Sequence, residues 1–517
     1  MADDPLTYRD SGVDVEANLG ANRRILGYAR RTYDERVCTR GGLFGGAIRV
    51  GKMLRSFEQP VLAGRLSGTD RPDEAEQAVP AEHTVPAERR VPAERRGPEQ
   101  RARQAAELFR RKTQRAWKPL AFLDYLAAAR LDPQRAADLV GIFSRAFAQR
   151  PKIPIIGGET AEMPDVFRAE AWEVVGALFA LTEAGSASGP SKPLSGLQGL
   201  ERPVLVFSMD GVGTKTKLGV MTARTSGLAL DIIHHSLDDI LCQGARGLAM
   251  MLYVGCCGGE ERLVRPLLAA AEACCRRNRM VLLDVTVAEK PELYLPGEID
   301  VCGAIAGVVE EESLLQGEAI RAGDVLIGIG SSGLHTNGYS LARKALLERG
   351  GLQIEHYIEE IGAPLADALL EPHTNYAPAV LPLLEGGESA VRGIAHITGG
   401  GLQDNLERIL PAELRAEIRL SSWRPPPIFE LIRRCGNIPL QDPVGKGMYE
   451  SFNMGIGMVL VVPPERAEEV LERLRGSGFE GTRIGEILQA EERLRAEEWL
   501  QAEEGPNESA SDRVRLL

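Results

Sequence analysis

The chain lacks most of what would tie it to a membrane, a nucleic acid or a metal cluster. No apolar run approaches the roughly 20 residues that span a bilayer. The opening Met1-Ala-Asp-Asp4 is acidic, unlike the basic-then-apolar start of a secretory leader. The net charge is −12, whereas gripping a phosphate backbone calls for a basic face. The eight cysteines include the adjacent pairs Cys256-Cys257 and Cys274-Cys275 and no C-x-x-C spacing. They read as small apolar core residues in a reducing compartment. These absences point to a cytoplasmic protein with no nucleic-acid partner and no membrane partner. The acidic balance does not exclude a small phosphorylated substrate, which needs only a local nest of backbone N–H groups.

At 517 residues, two or three domains are expected. Residues 1–63 read as an N-terminal segment. Residues 64–115 are rich in Glu, Arg, Ala and Pro and repeat Val-Pro-Ala-Glu at 79, 85 and 91. So few apolar groups cannot offset the entropy of ordering, and a disordered insert is expected there. Residues 116–184 and 200–312 follow one plan at an offset of about 127 residues. Leu120-Ala-Phe-Leu-Asp-Tyr parallels Leu248-Ala-Met-Met-Leu-Tyr, and Ala161-Glu-Met-Pro-Asp-Val-Phe parallels Ala288-Glu-Lys-Pro-Glu-Leu-Tyr. Each copy reads strand, helix, strand, loop, strand. Residues 320–486 read as a second α/β domain and 487–517 as an acidic tail, a solvated helix that frays.

Four strings carry chemistry. Asp210-Gly-Val-Gly-Thr-Lys-Thr-Lys217 follows the apolar strand Val204–Phe207. Gly211 and Gly213 allow close backbone approach, so the N–H groups of Gly211, Val212, Gly213 and Thr214 can cup phosphate oxygens while Lys215 or Lys217 neutralises charge. Asp210 can ligate Mg²⁺, a hard cation that prefers carboxylates. The spacing is not that of a Walker loop. Asp238-Asp239, read as preceding a helix, suggests a shared metal site, and Glu159 sits on the glycine turn Gly157-Gly-Glu-Thr at a strand end. The second half adds His335 and Asn337 in Ser332-Gly-Leu-His-Thr-Asn-Gly, and His396-Ile-Thr-Gly-Gly-Gly401, where Thr398, Gly399 and Gly400 could bind an anion. Either histidine could move a proton near neutral pH. Taken singly, a glycine turn, a helix cap and a structural histidine explain each of these equally well.

Together, these strings resemble the phosphoribosylformylglycinamidine cyclo-ligase family, as do Thr7-Tyr-Arg-Asp-Ser-Gly-Val-Asp14, Trp423-Arg-Pro-Pro-Pro-Ile-Phe429 and Phe452-Asn-Met-Gly-Ile-Gly457. The resemblance implies an α/β (α+β) class and a two-domain ATP-binding synthetase fold. Its N-terminal domain forms a β-barrel across a homodimer, and a C-terminal α/β domain follows. It implies ATP-dependent ring closure of formylglycinamidine ribonucleotide through an iminophosphate, with ATP and Mg²⁺ required. It assigns the metal to Asp210, Asp239 and Glu159. Phosphates fall to residues 210–215, with Thr398, Gly399 and Gly400, and catalysis to Lys215, His335 and Asn337. A related synthetase, such as a selenophosphate type, and a non-catalytic ATP-binding relative are the rival readings.

The order of motifs departs from the family. Phe122-Leu-Asp-Tyr125 and Gly157-Gly-Glu-Thr160 precede the phosphate loop instead of following it, and Asp238 stands where the family shows Asn. Copy one begins the phosphate strand at Pro60-Val-Leu and loses its loop to the insert. Copy two keeps the loop but has Thr286 at the place of Glu159. Either copy one fills the family's slot and supplies Glu159, or copy two completes the domain. In the second case copy one packs as an added layer or pairs through the dimer, and Glu159 reaches across. The unbroken run from copy two into the C-terminal half favours the second arrangement.

Overall fold

A computed structural model describes residues 5–7, 9–11, 24–39, 43–67, 97–115, 117–184, 191–197, 199–385, 389–442, 447–490 and 513–517. The Val-Pro-Ala-Glu repeats, most of the tail and part of the Thr7–Asp14 motif lie outside the described residues.

Ten strands come first: β1 (Gly46–Arg49), β2 (Pro60–Ser67), β3 (Lys118–Ala128), β4 (Ile155–Glu162), β5 (Trp172–Glu183), β6 (Lys192–Pro193), β7 (Pro203–Gly211), β8 (Arg246–Cys256), β9 (Val281–Glu289) and β10 (Ile299–Glu310). They form two sheets, ordered β4-β3-β5-β2-β6 and β1-β7-β10-β8-β9. Strand pairing makes the two equivalent residue by residue. Ser67 lies opposite Gly176 as Asp210 lies opposite Gly303. Tyr125 lies opposite Val175 as Tyr253 lies opposite Cys302. Glu159 sits beside Tyr125 as Thr286 sits beside Tyr253. Even the register shifts recur, at Phe122/Leu123 and Met250/Met251 and again at Pro119/Ala121 and Ala306/Gly307. A bulge re-aims every side chain beyond it, so a shared bulge pattern means a shared layout of faces.

The inner faces of both sheets close on one core that holds Leu62, Leu66, Leu123, Tyr125, Phe179, Phe207, Met209, Tyr253 and Tyr294. Each outer face has its own helices. Over copy one lie α1 (Pro98–Arg115) and α2 (Pro133–Phe147), whose Phe109, Leu139, Val140, Phe143 and Phe147 pack on Phe122 and Leu178. In α2 the side chain of Asp132 accepts from the N–H groups of Gln134 and Arg135, and Pro133 fills the first turn, where a missing N–H costs nothing. Over copy two lie α4 (Ser226–Leu241) and α5 (Glu261–Arg277), after the short helix α3 (Lys215–Thr222).

One expectation needs correction here. Pro98–Arg115 is an ordered helix, not part of a disordered insert, because Ala102, Ala105, Ala106 and Phe109 form a buried stripe at helical spacing. The repeat therefore reaches back past 116 to α1 and β2, with the insert lying between these two elements.

The two copies meet by reciprocal contacts. Phe167 and Tyr294, equivalent at an offset of 127, bridge each other with ring centroids 4.8 Å apart. The N–H of Arg168 donates to the Leu293 carbonyl, and the N–H of Leu295 donates to that of Val166, the same bond read from the other side. The Tyr125 hydroxyl donates to Asp300, and the Tyr253 hydroxyl donates to the equivalent Glu173.

The C-terminal domain has β11 (Val325–Gly330), the hairpin β12 (Tyr357–Ile358) and β13 (Ala363–Pro364), β14 (Gly393–His396), β15 (Leu414–Ile418), β16 (Ile456–Val462), β17 (Gly481–Gln489) and β18 (Val514–Leu516). Its six-stranded sheet runs β14-β16-β11-β17-β15-β18. The chain end is thus a strand instead of a frayed tail: Val514 is buried, and β18 pairs in parallel with Ala416–Ile418.

Candidate functional site

The C-terminal tip of β7, the last two turns of α4 and the loops before and after β14 converge at the junction of the two domains. In α4, Leu228, Ile232, Ile233, Leu237 and Ile240 face the copy-two core. Helical spacing then turns Asp231, His235, Asp238 and Asp239 to the opposite side, where all four are buried. Asp238 and Asp239 close this helix instead of preceding one, because the apolar stripe starts as early as Leu228.

These polar groups fasten the domains together. Asp231 accepts from Lys215 Nζ at 2.8 Å and from the His373 N–H at 2.8 Å. Asp238 accepts from the Tyr376 N–H at 3.0 Å. Asp239 accepts from the Ser208 hydroxyl at 3.0 Å and lies 2.8 Å from His396 Nδ1. His235 Nε2 stands 3.0 Å from Asp210 and 3.6 Å from Asp239. Burial alone would discharge this imidazole, but Asp210 and then Asp239 override it and push its pKa up to about 10. Asp239 is held below the usual carboxylate range: burial opposes its ionisation, and His235 and His396 outweigh it.

Glu159 reaches the same place from copy one. Its carboxyl is pushed well above the ordinary range by loss of water and then by the nearby Asp210, with Asp239 adding to the repulsion. Three acids from three separate stretches thus share one field. Crowded carboxylates of this kind are relieved by a cation, and their oxygens suit a hard divalent ion, with the His235 nitrogen beside them. Among the described residues, Asp210, His235 and Asp239 form one group able to hold an ion, and His235, His373 and His396 form another.

The glycine loop is built for contact. Gly213 has φ +67°, the left-handed region that glycine enters without strain. A Cβ on Gly211 would meet the Tyr125 ring of copy one at 2.8 Å. The Gly211 N–H donates to the Asp210 side chain at 2.6 Å, the Val212 N–H donates to the Val301 carbonyl, and Thr214 and Ser340 hydroxyls lie 2.9 Å apart.

Neither lysine stands free at the loop. Lys215 is fully buried, and besides Asp231 its ammonium donates to the carbonyls of His335 and Glu371 at 3.0 and 2.8 Å. Lys217 pairs with Glu298 at 2.5 Å and donates to the Asp165 carbonyl.

His335 is buried with φ +62° and stacks on His373 at 3.9 Å between ring centroids. Burial, then the charge of the neighbouring imidazoles, holds its pKa well below the usual histidine value, and its Nδ1 has no hydrogen-bond partner. The Asn337 side chain lies beside Gly399, where a Cβ would meet its Oδ1 at 3.4 Å. Thr398 donates to Asn405, and Gly400 has φ +88°. The structure therefore brings Asp210, Asp239, Glu159 and His235 together, sets His335 and His396 next to them, and joins Asn337 to the 398–400 loop.

Sequence reasoning passed over His235, His373 and Asp231. His234-His235 could have been found, since it lies one helical turn before Asp238-Asp239. His373 carries no local signal; only the tertiary fold brings it to α4.

Known proteins match the second half of the chain. Residues 199–309 fit the family model described as AIR synthase related protein, N-terminal domain, and residues 321–496 fit the matching C-terminal domain. A phosphoribosylformylglycinamidine cyclo-ligase of Carboxydothermus hydrogenoformans is 39% identical over 296 residues, 57% of this chain and 84% of that protein. One from Bacillus cereus is 40% identical over 290 residues, 56% of this chain and 82% of that protein. Among solved structures, thiamine-monophosphate kinase from Stenotrophomonas maltophilia aligns with a TM-score of 0.42 and 15% identity, over 56% of this chain and 84% of that one. Copy one lies outside both family-model matches. No helix among the described residues is long and apolar enough to cross a membrane.

Proposed function

The chain belongs to the phosphoribosylformylglycinamidine cyclo-ligase family and is a ligase, and we propose that its reaction centre is the acidic cluster where β7, α4 and β4 meet. There ATP drives ring closure of formylglycinamidine ribonucleotide to aminoimidazole ribonucleotide. The observation that carries this placement is that Asp210 and Asp239 meet at His235 beside the glycine loop, with Glu159 in register beside Tyr125, the residue that packs on Gly211.

Asp210, Asp239 and Glu159 would hold Mg²⁺, which when bound supplies charge neutralisation for the triphosphate. The chain's own part is positioning. Of the 211–214 backbone, the Gly211 and Val212 N–H groups are engaged by Asp210 and the Val301 carbonyl, so the N–H groups of Gly213 and Thr214, at the turn that Gly213 supplies, are the ones that would meet phosphate. Lys215 is a positioning residue: its bonds to Asp231 and to the carbonyls of His335 and Glu371 hold the phosphate loop against the C-terminal domain. Burial keeps His335 neutral, so it can accept or donate a hydrogen bond toward a substrate at the 335–337 and 398–400 loops without adding charge. His396, tied to Asp239 through Nδ1, couples those loops to the acidic cluster.

The test is phosphate release from ATP by the full chain. Release should require both formylglycinamidine ribonucleotide and Mg²⁺, and Asp210→Asn or Asp239→Asn should lower kcat by about 100-fold or more. Nucleotide binding without turnover would favour a non-catalytic relative. Turnover unaffected by either substitution would place the chemistry elsewhere.

A further inference from the structure

The contacts between the two copies are those of a twofold interface. In an isologous pair, residue i of one body meets residue j of the other, and j meets i. That pattern holds here for Phe167 with Tyr294, for the Arg168–Leu293 and Leu295–Val166 backbone bonds, and for Tyr125–Asp300 with Tyr253–Glu173. Both halves of this interface belong to one chain.

The two centres that such symmetry generates are not equal. One holds Asp210 and Asp239 from copy two with Glu159 from copy one. At the equivalent places of the other stand Ser67 for Asp210 and Thr286 for Glu159. Helix α1, the counterpart of α4, contains no aspartate. Asp284 takes the place of Gly157 and accepts from the Leu66 N–H at 2.8 Å, with Arg65 3.9 Å away. No glycine phosphate loop follows Ser67 in the sequence. The six-stranded C-terminal sheet follows copy two, whereas after copy one the chain passes through β6 directly into β7.

We propose that this chain is a covalently closed pseudodimer with a single reaction centre. Copy one acts as the built-in partner: it closes the barrel and delivers Glu159 to the acids of copy two within the same molecule. Its own centre is dismantled. The site is incomplete without copy one, and a second chain is not needed.

The experiment uses the full chain. Light scattering should give the mass of one chain across a wide concentration range, and titration with ADP and Mg²⁺ should give one nucleotide per chain. A mass of two chains, or two nucleotides per chain, overturns the proposal. These two readouts require no turnover, so they fail separately from the cyclo-ligase reading.

A third readout rests on that reading. Glu159→Gln should lose about 10-fold or more in kcat and Asp210→Asn about 100-fold or more, and mixing the two variants should restore nothing, because both groups must sit on one molecule. Recovery of activity on mixing would mean that Glu159 acts between chains. Full activity of Glu159→Gln would remove copy one from the site. Thr286→Val, in the dismantled centre, should leave kcat unchanged, and a loss there would show the second centre to be live.

Discussion

Two equivalent buried carboxyls show how one side chain decides a protonation state. Glu173 accepts from Tyr253, Lys290 and Tyr294 at 2.8 to 2.9 Å and is held below the usual carboxylate range: burial opposes its ionisation, and Lys290 outweighs it. Asp300 occupies the same place in copy two but has the Tyr125 hydroxyl at 3.2 Å and the Val301 N–H and, among the described residues, no cation, since Met163 stands where Lys290 stands. Burial, and then the charge of Glu173, push Asp300 up to about 7 from an ordinary 3.8. The signs are opposite. Glu173 contributes stability that is present above its unfolded pKa and lost as pH falls. Asp300 contributes stability that is fully present below about 3.8 and lost as pH rises through about 7. Asp300→Asn, which cannot ionise, should match the parent near pH 4 and melt about 2–4 °C or more above it at pH 8. Melting curves that stay parallel across that range would show that Asp300 is not what titrates.

At the scale of elements, β3 meets β7 closely, with Tyr125 pressed on Gly211. A methyl group at Gly211 would sit 2.8 Å from the Tyr125 ring and 3.0 Å from its hydroxyl. Gly211→Ala should therefore cost about 1–3 kcal/mol by overpacking. Adding Tyr125→Leu should recover part of that loss, because the two changes share one space. Simple additivity in denaturant unfolding would show that the strands part easily. The sequence made this region readable in pieces. Gly211 and Gly213 announced a close backbone approach, and the paired strings at an offset near 127 announced two similar sheets. What covers Gly211 was not legible, because Tyr125 is 86 positions away and only the barrel brings it near. Nor does the sequence announce α1 as a helix. Its Ala102, Ala105 and Ala106 bury against copy one, yet small alanines among many Arg and Glu raise little apolar signal. Asp210, Asp239 and Glu159 could be named as acids near glycine turns, but no spacing could say that they meet.

At the scale of the molecule, the repeat and the departure from family order have one cause. The C-terminal domain docks on copy two through α4, so copy two must stay continuous with it. The copy that completes the shared core precedes it in this chain, which puts the Gly157-Gly-Glu-Thr string ahead of the phosphate loop. The inner face of the copy-two sheet carries Leu205, Phe207, Met209, Met251 and Tyr253, all buried against copy one. A fragment spanning 199–517 would expose that face, with each large side chain losing about 1.5–3 kcal/mol of burial. An apolar surface of this extent, rimmed by polar residues, drives association. The fragment should therefore pair with itself or aggregate, and adding a separately made 1–198 segment should compete for the same face and reduce that association. A fragment that stays monomeric, with a sharp melting transition close to that of the full chain, would mean that the copy-two sheet does not need its partner and that the closed barrel is a packing preference and not a requirement.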